Sequence, residues 1–364
     1  MDYKFEGENI KRKLIEKGLY RKLENYNSEL EPDKISIGYS YPIKAFEKFL
    51  GYYDDYYKIA YNSSISFNTD FSLVYSACMY TKRENSDSVI LDGKQADRYI
   101  ERYRKPLEIF RKNTGVRGSF KFYIRRYRKY DEAKGLSESS AVASAVSRCL
   151  IKNVFGHKAG GDDNFVSRYA RLVSGSGTRA AINGPSIWLS YPGIMEEDSF
   201  AVKIPTYPEK INYAIFPKNI DYQTSDAHSE VVKSPFYDSW LDRKYRRINE
   251  IIDEDFNIED LMRRAMEEMF DLNSVLMSRG NVIQTPESIS LLKNFIKFSK
   301  KNAGIYITGD TGPSLMVMSS DKSLLNEFLE SVDDPRIIGS HHPTEHKQKE
   351  MEFYNESKEY MESL

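Results

Sequence analysis

Apolar positions along the chain recur with two periods, and the switches between them mark out helices and strands. Over residues 7–27 they return at helical spacing among many Lys and Glu, which predicts an amphipathic N-terminal helix ended by Pro32 and Asp33. From Ile35 the pattern turns strand-like: 35–39, 65–67 and 71–80 are rich in β-branched and aromatic residues. Helical spacing returns over 94–112, a strand is expected at 119–124, and helices follow over about 139–154 and 163–173.

Gly, Ser and Pro crowd into 175–193, and a boundary between two lobes is expected just beyond. After it come expected strands at 200–204 and 211–216 and helices at roughly 233–253, 258–272 and 286–301. A strand–turn–strand around Asp310, a helix near 321–332 and a charged helical tail over 344–363 complete the chain. This organisation reads as a helical extension (1–34), an N-terminal lobe (35–194), a C-terminal lobe (195–338) and a tail (339–364). Strands and helices interleave without a regular βαβ rhythm, and there is no internal repeat, so the expected class is α+β.

Composition narrows the function. A chain of 364 residues with 40% hydrophobic and 29% charged residues is ordinary for a soluble globular protein. The formal net charge of −1 gives no global pull toward nucleic acid or anionic membrane, so any anion site must be local. Cys78 and Cys149 sit in apolar segments without metal or redox spacing, as small buried hydrophobes do in a reducing compartment. No apolar run approaches the roughly 18 residues that span a bilayer, and the first residues lack a signal-peptide core. A cytoplasmic protein is expected, with no nucleic-acid or membrane partner.

Two segments carry candidate chemistry. In Gly304-Ile-Tyr-Ile-Thr-Gly-Asp310-Thr-Gly-Pro-Ser-Leu-Met-Val-Met318 a lone acid stands at a sharp turn between apolar strands, where a carboxylate is either paired or functional. A residue capping the following turn is the bland alternative. In Lys134-Gly-Leu-Ser-Glu138-Ser139-Ser140-Ala-Val-Ala-Ser144 a glycine turn and small hydroxyl residues open a helix, the standard physics of an anion or phosphate site. Ser-rich caps also arise for structural reasons alone.

The second segment resembles the glycine-serine loop of the GHMP kinase superfamily, and more closely that of its mevalonate diphosphate decarboxylase branch. Further segments fall in the family's order: Glu47-Lys48-Phe-Leu-Gly-Tyr52-Tyr-Asp54, Asn62-Ser-Ser-Ile-Ser66, Gly175-Ser176-Gly-Thr-Arg179, Val232-Lys-Ser-Pro-Phe-Tyr237 and Gly309-Asp310-Thr-Gly-Pro-Ser314. The resemblance covers about residues 35–335. It implies a two-lobed GHMP kinase fold, with an N-terminal lobe like domain 2 of ribosomal protein S5 and a ferredoxin-like C-terminal lobe. It also implies a catalytic set of Asp310, Lys48 and Arg179 in the cleft. Lys48 and Arg179 would neutralise the substrate carboxylate and a departing phosphate. Asp310 would hold Lys48 and face the positive charge that develops at a tertiary carbon.

Departures from the family pattern shape the expected activity. Glu138 stands where the ATP-using members carry Ser, and a carboxylate there would repel a triphosphate by several kcal/mol at short range. Tyr52 replaces a lysine and His228 an arginine, near where the family holds the substrate's terminal diphosphate. Conversely, Arg126, Arg128 and Lys129 replace a Ser- and Asn-rich loop, so cationic capacity has moved. The implied reaction is that of the archaeal branch: decarboxylation of mevalonate 3,5-bisphosphate to isopentenyl phosphate, carbon dioxide and phosphate, with no cofactor. Ser139, Ser140, Glu138, Arg126, Arg128, Lys129, His228 and Ser176 are the expected substrate-binding residues. The alternatives are an ATP- and Mg²⁺-dependent mevalonate diphosphate decarboxylase, a mevalonate 3-kinase, or a non-catalytic relative acting as a sensor. The full Asp–Lys–Arg set argues against the kinase, which lacks part of it, and against the sensor.

The remaining signals point elsewhere or nowhere. His341, His342 and His346 lack a further acidic or Cys partner, so no metal site is expected. The basic, Tyr-interleaved run at 125–130 could suit single-stranded nucleic acid, but its place beside the phosphate loop favours substrate phosphates. The 27 tyrosines read as core and interface residues, and a homodimer is expected.

Overall fold

A computed structural model describes residues 1–82, 86–129, 136–219, 224–334, 336–339 and 346–362 of the chain. Among them three larger sheets and the helices between them form the scaffold. One sheet has Ile35–Ser40, Ser72–Thr81, Ser119–Arg128, Ser88–Leu91 and Lys94–Gln95 side by side, antiparallel except where Ser88–Leu91 runs parallel to Ser119–Arg128. The helix Glu138–Gly161 covers one face, its small buried residues Ala141, Ala145 and Cys149 packing against Val74, Cys78 and Ile124. The helix His346–Glu362 covers the other, where Phe353 stacks on Tyr75 and Tyr123, and the Tyr123 hydroxyl donates to Glu356 at 2.6 Å. With both faces covered, Ser72–Thr81 is buried along almost its whole length rather than alternating.

The second sheet orders Ala201–Lys203, Ser186–Trp188, Ser64–Asn68 and Ile43–Glu47, and the third orders Ile305–Gly309, Leu315–Ser319, Asn212–Phe216 and Ile337–Gly339. The strand at 200–204, read above as opening the second lobe, thus extends the sheet of Ser64–Asn68. A three-residue strand carries no pattern that selects its neighbour; its partner is set by the tertiary fold.

The helix Ile258–Met277 joins the second and third sheets. Asn257 caps it by accepting from the Glu259 and Asp260 backbone N–H groups. Its buried stripe, including Leu261, Met262, Ala265 and Met269, packs against both Ile43–Glu47 and Ile305–Gly309. One apolar core accordingly runs from Phe46, Ile65 and Ile187 to Tyr213, Tyr245 and Met316.

Several helix bounds differ from the sequence reading. The N-terminal helix spans Tyr3–Glu16, started by Asp2, which accepts from Lys4 and Phe5 N–H, and closed by Leu19 and Tyr20 N–H donating back to Leu14 O. The apolar residues beyond it, Leu23, Tyr26 and Leu30, pack against the helical core of the five-stranded sheet without forming a helix themselves. The helix expected over 233–253 begins at Tyr237, because the residue preceding Pro235 is biased away from helical geometry; a separate helix, Thr224–Val231, precedes the break. Among the described residues no helix is long and apolar enough to cross a membrane.

Candidate active site

A cavity of about 1220 Å³ opens where these elements meet, and Lys48, Arg179 and Asp310 all line it. Lys48 follows the buried strand Ile43–Glu47, and Asn62 Nδ2 fixes its backbone by donating to Lys48 O at 3.0 Å. At Gly51 the chain turns with φ +86°, close enough to Tyr237 that a Cβ would stand 2.6 Å from the phenol oxygen. The Lys48 ammonium, 4% exposed, donates to Thr308 Oγ1 at 3.2 Å and to Ala45 O at 3.4 Å. Burial draws its pKa down to about 8; Asp310 and Glu268 favour the charged form, and Lys44 and Lys244 oppose it.

Behind Lys48 lies a largely buried ion network. Lys244 Nζ pairs with Glu47 at 2.7 Å and with Glu268, while Arg247 reaches Glu47 at 2.9 Å, Glu268 at 2.6 Å and Asp271 at 2.6 Å. Burial alone would raise both glutamates. Lys244 and Arg247 more than offset this for Glu47, whose pKa is held down, while the like charge of Glu47 leaves Glu268 raised. This network ties Tyr237–Asp253 and Ile258–Met277 to the strand Ile43–Glu47, which Lys48 follows.

Arg179 sits on the short helix Gly177–Ala180. Gly177 lets this helix approach Glu138–Gly161 so closely that a Cβ would lie 2.6 Å from Ala143 Cβ. The guanidinium is 3% exposed, packs over the Phe49 ring at 5.5 Å and donates to Ile65 O at 3.4 Å, while its Nε has no hydrogen-bond partner among the described residues. Burial lowers its pKa to about 10, with Asp310 and Tyr52 pulling the other way, so it stays cationic near neutrality.

Asp310 occupies the turn between Ile305–Gly309 and Leu315–Ser319, which pair antiparallel. The turn is pinned by Ser288 Oγ, which donates to Pro313 O at 2.7 Å, and by Ser314, whose hydroxyl accepts from Lys218 N–H at 3.0 Å. The ion pair made by Asp310 departs from the sequence reading. Its Oδ2 meets Lys44 Nζ at 3.1 Å and Ser137 Oγ at 3.5 Å, while Lys48 is hydrogen-bonded to Thr308 and Ala45 instead. Asp310 Oδ1 is buried with no hydrogen-bond partner among the described residues.

The helix end expected to receive phosphate begins with an acid that two arginines hold. Glu138 opens Glu138–Gly161 just after Ser137, whose φ of +53° makes the turn. Its carboxylate accepts from Arg128 Nε at 2.6 Å, from Arg128 Nη2, from Arg126 Nη1 at 3.3 Å and from Ser72 Oγ at 3.2 Å. Arg126 is further held by Asp92, and Lys129 pairs with Asp70 at 2.8 Å. Arg126 and Lys129 do not line the cavity, whereas Arg128, Glu138, Ser139 and Ser176 do. Ser139 is exposed to the cavity; Ser140 is buried, and its hydroxyl donates to Ser137 O at 2.6 Å. Ser176 Oγ lies 3.0 Å from Ser174 Oγ.

His228 projects from Thr224–Val231 into an aromatic wall of the same cavity. It stacks on Tyr52 at 4.7 Å and lies 5.3 Å from Phe49. Its Nδ1 accepts from Gly51 N–H at 3.0 Å, so Nε2 carries the proton, and burial, aided by Lys58, lowers its pKa to about 4. The imidazole is therefore a neutral donor near pH 7. Lys58 Nζ stands 4.7 Å from the Tyr52 ring and pairs with Asp55 at 2.5 Å; Arg102 and Lys105 complete this side. Sequence reasoning missed Lys58, Arg102 and Lys105. Lys58 stands ten residues after Lys48 in a Tyr-rich run with no periodicity, and only its stacking on Tyr52 marks it.

Among the described residues no three His, Cys, Asp or Glu side chains gather as a metal ion would need. His341 and His342 lie outside the described residues.

With this geometry, similarity to known proteins can be weighed. The family model for the diphosphomevalonate decarboxylase-like N-terminal domain matches residues 40–201. Mevalonate 3,5-bisphosphate decarboxylase of Thermoplasma acidophilum is 49% identical over 354 residues, covering 97% of this chain and 87% of the relative. That of Thermoplasma volcanium is 50% identical, covering 97% and 95%. Among solved structures, mevalonate diphosphate decarboxylase from Enterococcus faecalis superposes with a TM-score of 0.71 at 22% identity, covering 84% of this chain and 97% of that one. Mevalonate-3-kinase from Thermoplasma acidophilum does so with 0.67 at 15%, covering 85% and 96%. The two structural likenesses concern the fold, which is the two-lobed GHMP kinase fold.

Proposed function

The chain belongs to the diphosphomevalonate decarboxylase-like family, and we propose that it is a carboxy-lyase converting mevalonate 3,5-bisphosphate to isopentenyl phosphate, carbon dioxide and phosphate, without ATP. The observation that carries the last part is Glu138. A carboxylate held by Arg126, Arg128 and Ser72 takes the helix end where nucleotide phosphates would need free N–H groups and positive potential. A carboxylate there disfavours a triphosphate.

With the 3-phosphate already in place, the chemistry is a two-bond fragmentation. The C3–O bond breaks, its electron pair leaving with phosphate, and C3 becomes electron-deficient. The C1–C2 bond then breaks, its pair forms the C2=C3 double bond, and the carboxylate departs as carbon dioxide. No proton or redox partner is required. Lys48 and Arg179, both buried and cationic, would receive the carboxylate and the leaving phosphate. Asp310, which lines the cavity, would act as a fixed anion beside C3. Ser139 and Ser176 would donate to substrate oxygens. Lys58 and the Nε2–H of His228 suit the single 5-phosphate, taking over where a lysine and an arginine of the family pattern are replaced.

A second reading, ATP-dependent decarboxylation of mevalonate diphosphate, draws on the same Asp310, which could take a hydroxyl proton. It would need the triphosphate at the helix end that Glu138 holds. The proposed roles are tested by Asp310→Asn and Lys48→Ala. Each is expected to slow carbon dioxide release about 10²–10³-fold with the circular dichroism spectrum retained. Wild-type-like turnover in either variant removes those roles.

A further inference from the structure

We infer that Lys44 is a positioning residue: it holds the Asp310 carboxylate by one oxygen, fixing its charge in the cavity wall beside the reacting carbon. The inference rests on the reaction proposed above. Lys44 lies in the middle of the fully buried strand Ile43–Glu47, opposite Phe67 in the neighbouring strand, and its side chain is 3% exposed. An ammonium so buried costs several kcal/mol unless paired. The ion pair it makes is to Asp310 Oδ2 at 3.1 Å. It does not line the cavity, although Ile43 and Ala45 on either side do, so it reaches the substrate only through Asp310.

The arrangement divides four charges, three of them buried, into two jobs. Lys48 is turned to Thr308 and Ala45, and Arg179 to Phe49 and Ile65 O, which leaves both cations available to leaving groups. Asp310 would neutralise either of them if it were free to swing. Anchored at Oδ2 by Lys44, it keeps its negative charge at a fixed place, and Oδ1 stays unpartnered. Preorganised charge of this kind stabilises a developing cation without reorganisation during the reaction.

The test is a double-mutant cycle read as a split between kcat and KM. Lys44→Met is expected to lower kcat about 100-fold while KM stays within about threefold. Lys44→Arg is expected to recover part of that loss. In the Asp310→Asn background, Lys44→Met should cost little further, since the group it positions is gone. This double variant leaves neither buried charge unpaired, so it and Lys44→Arg carry the test if Lys44→Met does not fold. A raised KM with kcat intact would make Lys44 a substrate ligand. Full additivity with Asp310→Asn, or no recovery by Lys44→Arg, would equally overturn the inference. The cycle is run on whichever mevalonate phosphate the wild type turns over. Absence of nucleotide-free turnover therefore contradicts the proposed reaction and still leaves the inference testable on the nucleotide-dependent substrate.

Discussion

At the scale of single residues, the site is governed by the cost of burying charge. Lys48 shows it most directly: burial lowers its pKa to about 8, against the opposing pull of Asp310 and Glu268. Since the proposed role needs the protonated ammonium, kcat/KM should fall as pH rises through about 8, and Lys48→Arg should move that limb upward. A kcat/KM profile flat to about pH 10, where an ordinary lysine titrates, contradicts this role. The motifs bring Lys48, Arg179 and Asp310 to attention in the sequence, and all three line one cavity. Which lysine pairs with Asp310 was not legible there. Lys44 and Lys48 stand four residues apart around a strand end, and their directions depend on a register irregularity between Ala45 and Glu47. Pattern reasoning sees spacing but not such a bulge.

At the scale of elements, the proposed independence from nucleotide rests on the N-terminus of Glu138–Gly161. The glycine-serine loop reads from sequence as a phosphate site, and Glu138 reads as the feature that disturbs it. The sequence does not show that Arg126 and Arg128, on Ser119–Arg128, reach across to clamp that carboxylate. In Glu138→Ser the acid is removed and two cations remain beside free helix N–H groups. Calorimetry should then record ATP binding at least about tenfold tighter than in the wild type, from loss of about 1.4 kcal/mol of repulsion. Unchanged nucleotide affinity would mean that Glu138 is not what closes the helix end. The element boundaries were readable where caps are local, as for Asp163–Val173, which Asp162 starts by accepting from Asn164 and Phe165 N–H. They were misread where packing outweighed periodicity, as in the apolar residues that follow the helix Tyr3–Glu16.

At the scale of the whole molecule, Ile258–Met277 and the buried ion network connect the two sheets that carry Lys48 and Asp310. The N-terminal helix adds a second tie: Lys13 pairs with Asp253 at 2.7 Å, Tyr3 stacks on Tyr245 at 5.4 Å, and Tyr191 packs against Gly7. A cavity built from parts so tied can hold separated charges at fixed places, as a fragmentation driven by electrostatics requires. It does so with Glu138, held by Arg126 and Arg128, at the helix end where a nucleotide's phosphates would have to sit. The most direct measurement is phosphate and carbon dioxide release from mevalonate 3,5-bisphosphate by the purified protein, freed of nucleotide and supplied with EDTA. Equimolar release of both, at a rate that added ATP and Mg²⁺ do not increase, is the result expected. Turnover that appears only when ATP and Mg²⁺ are restored would contradict it.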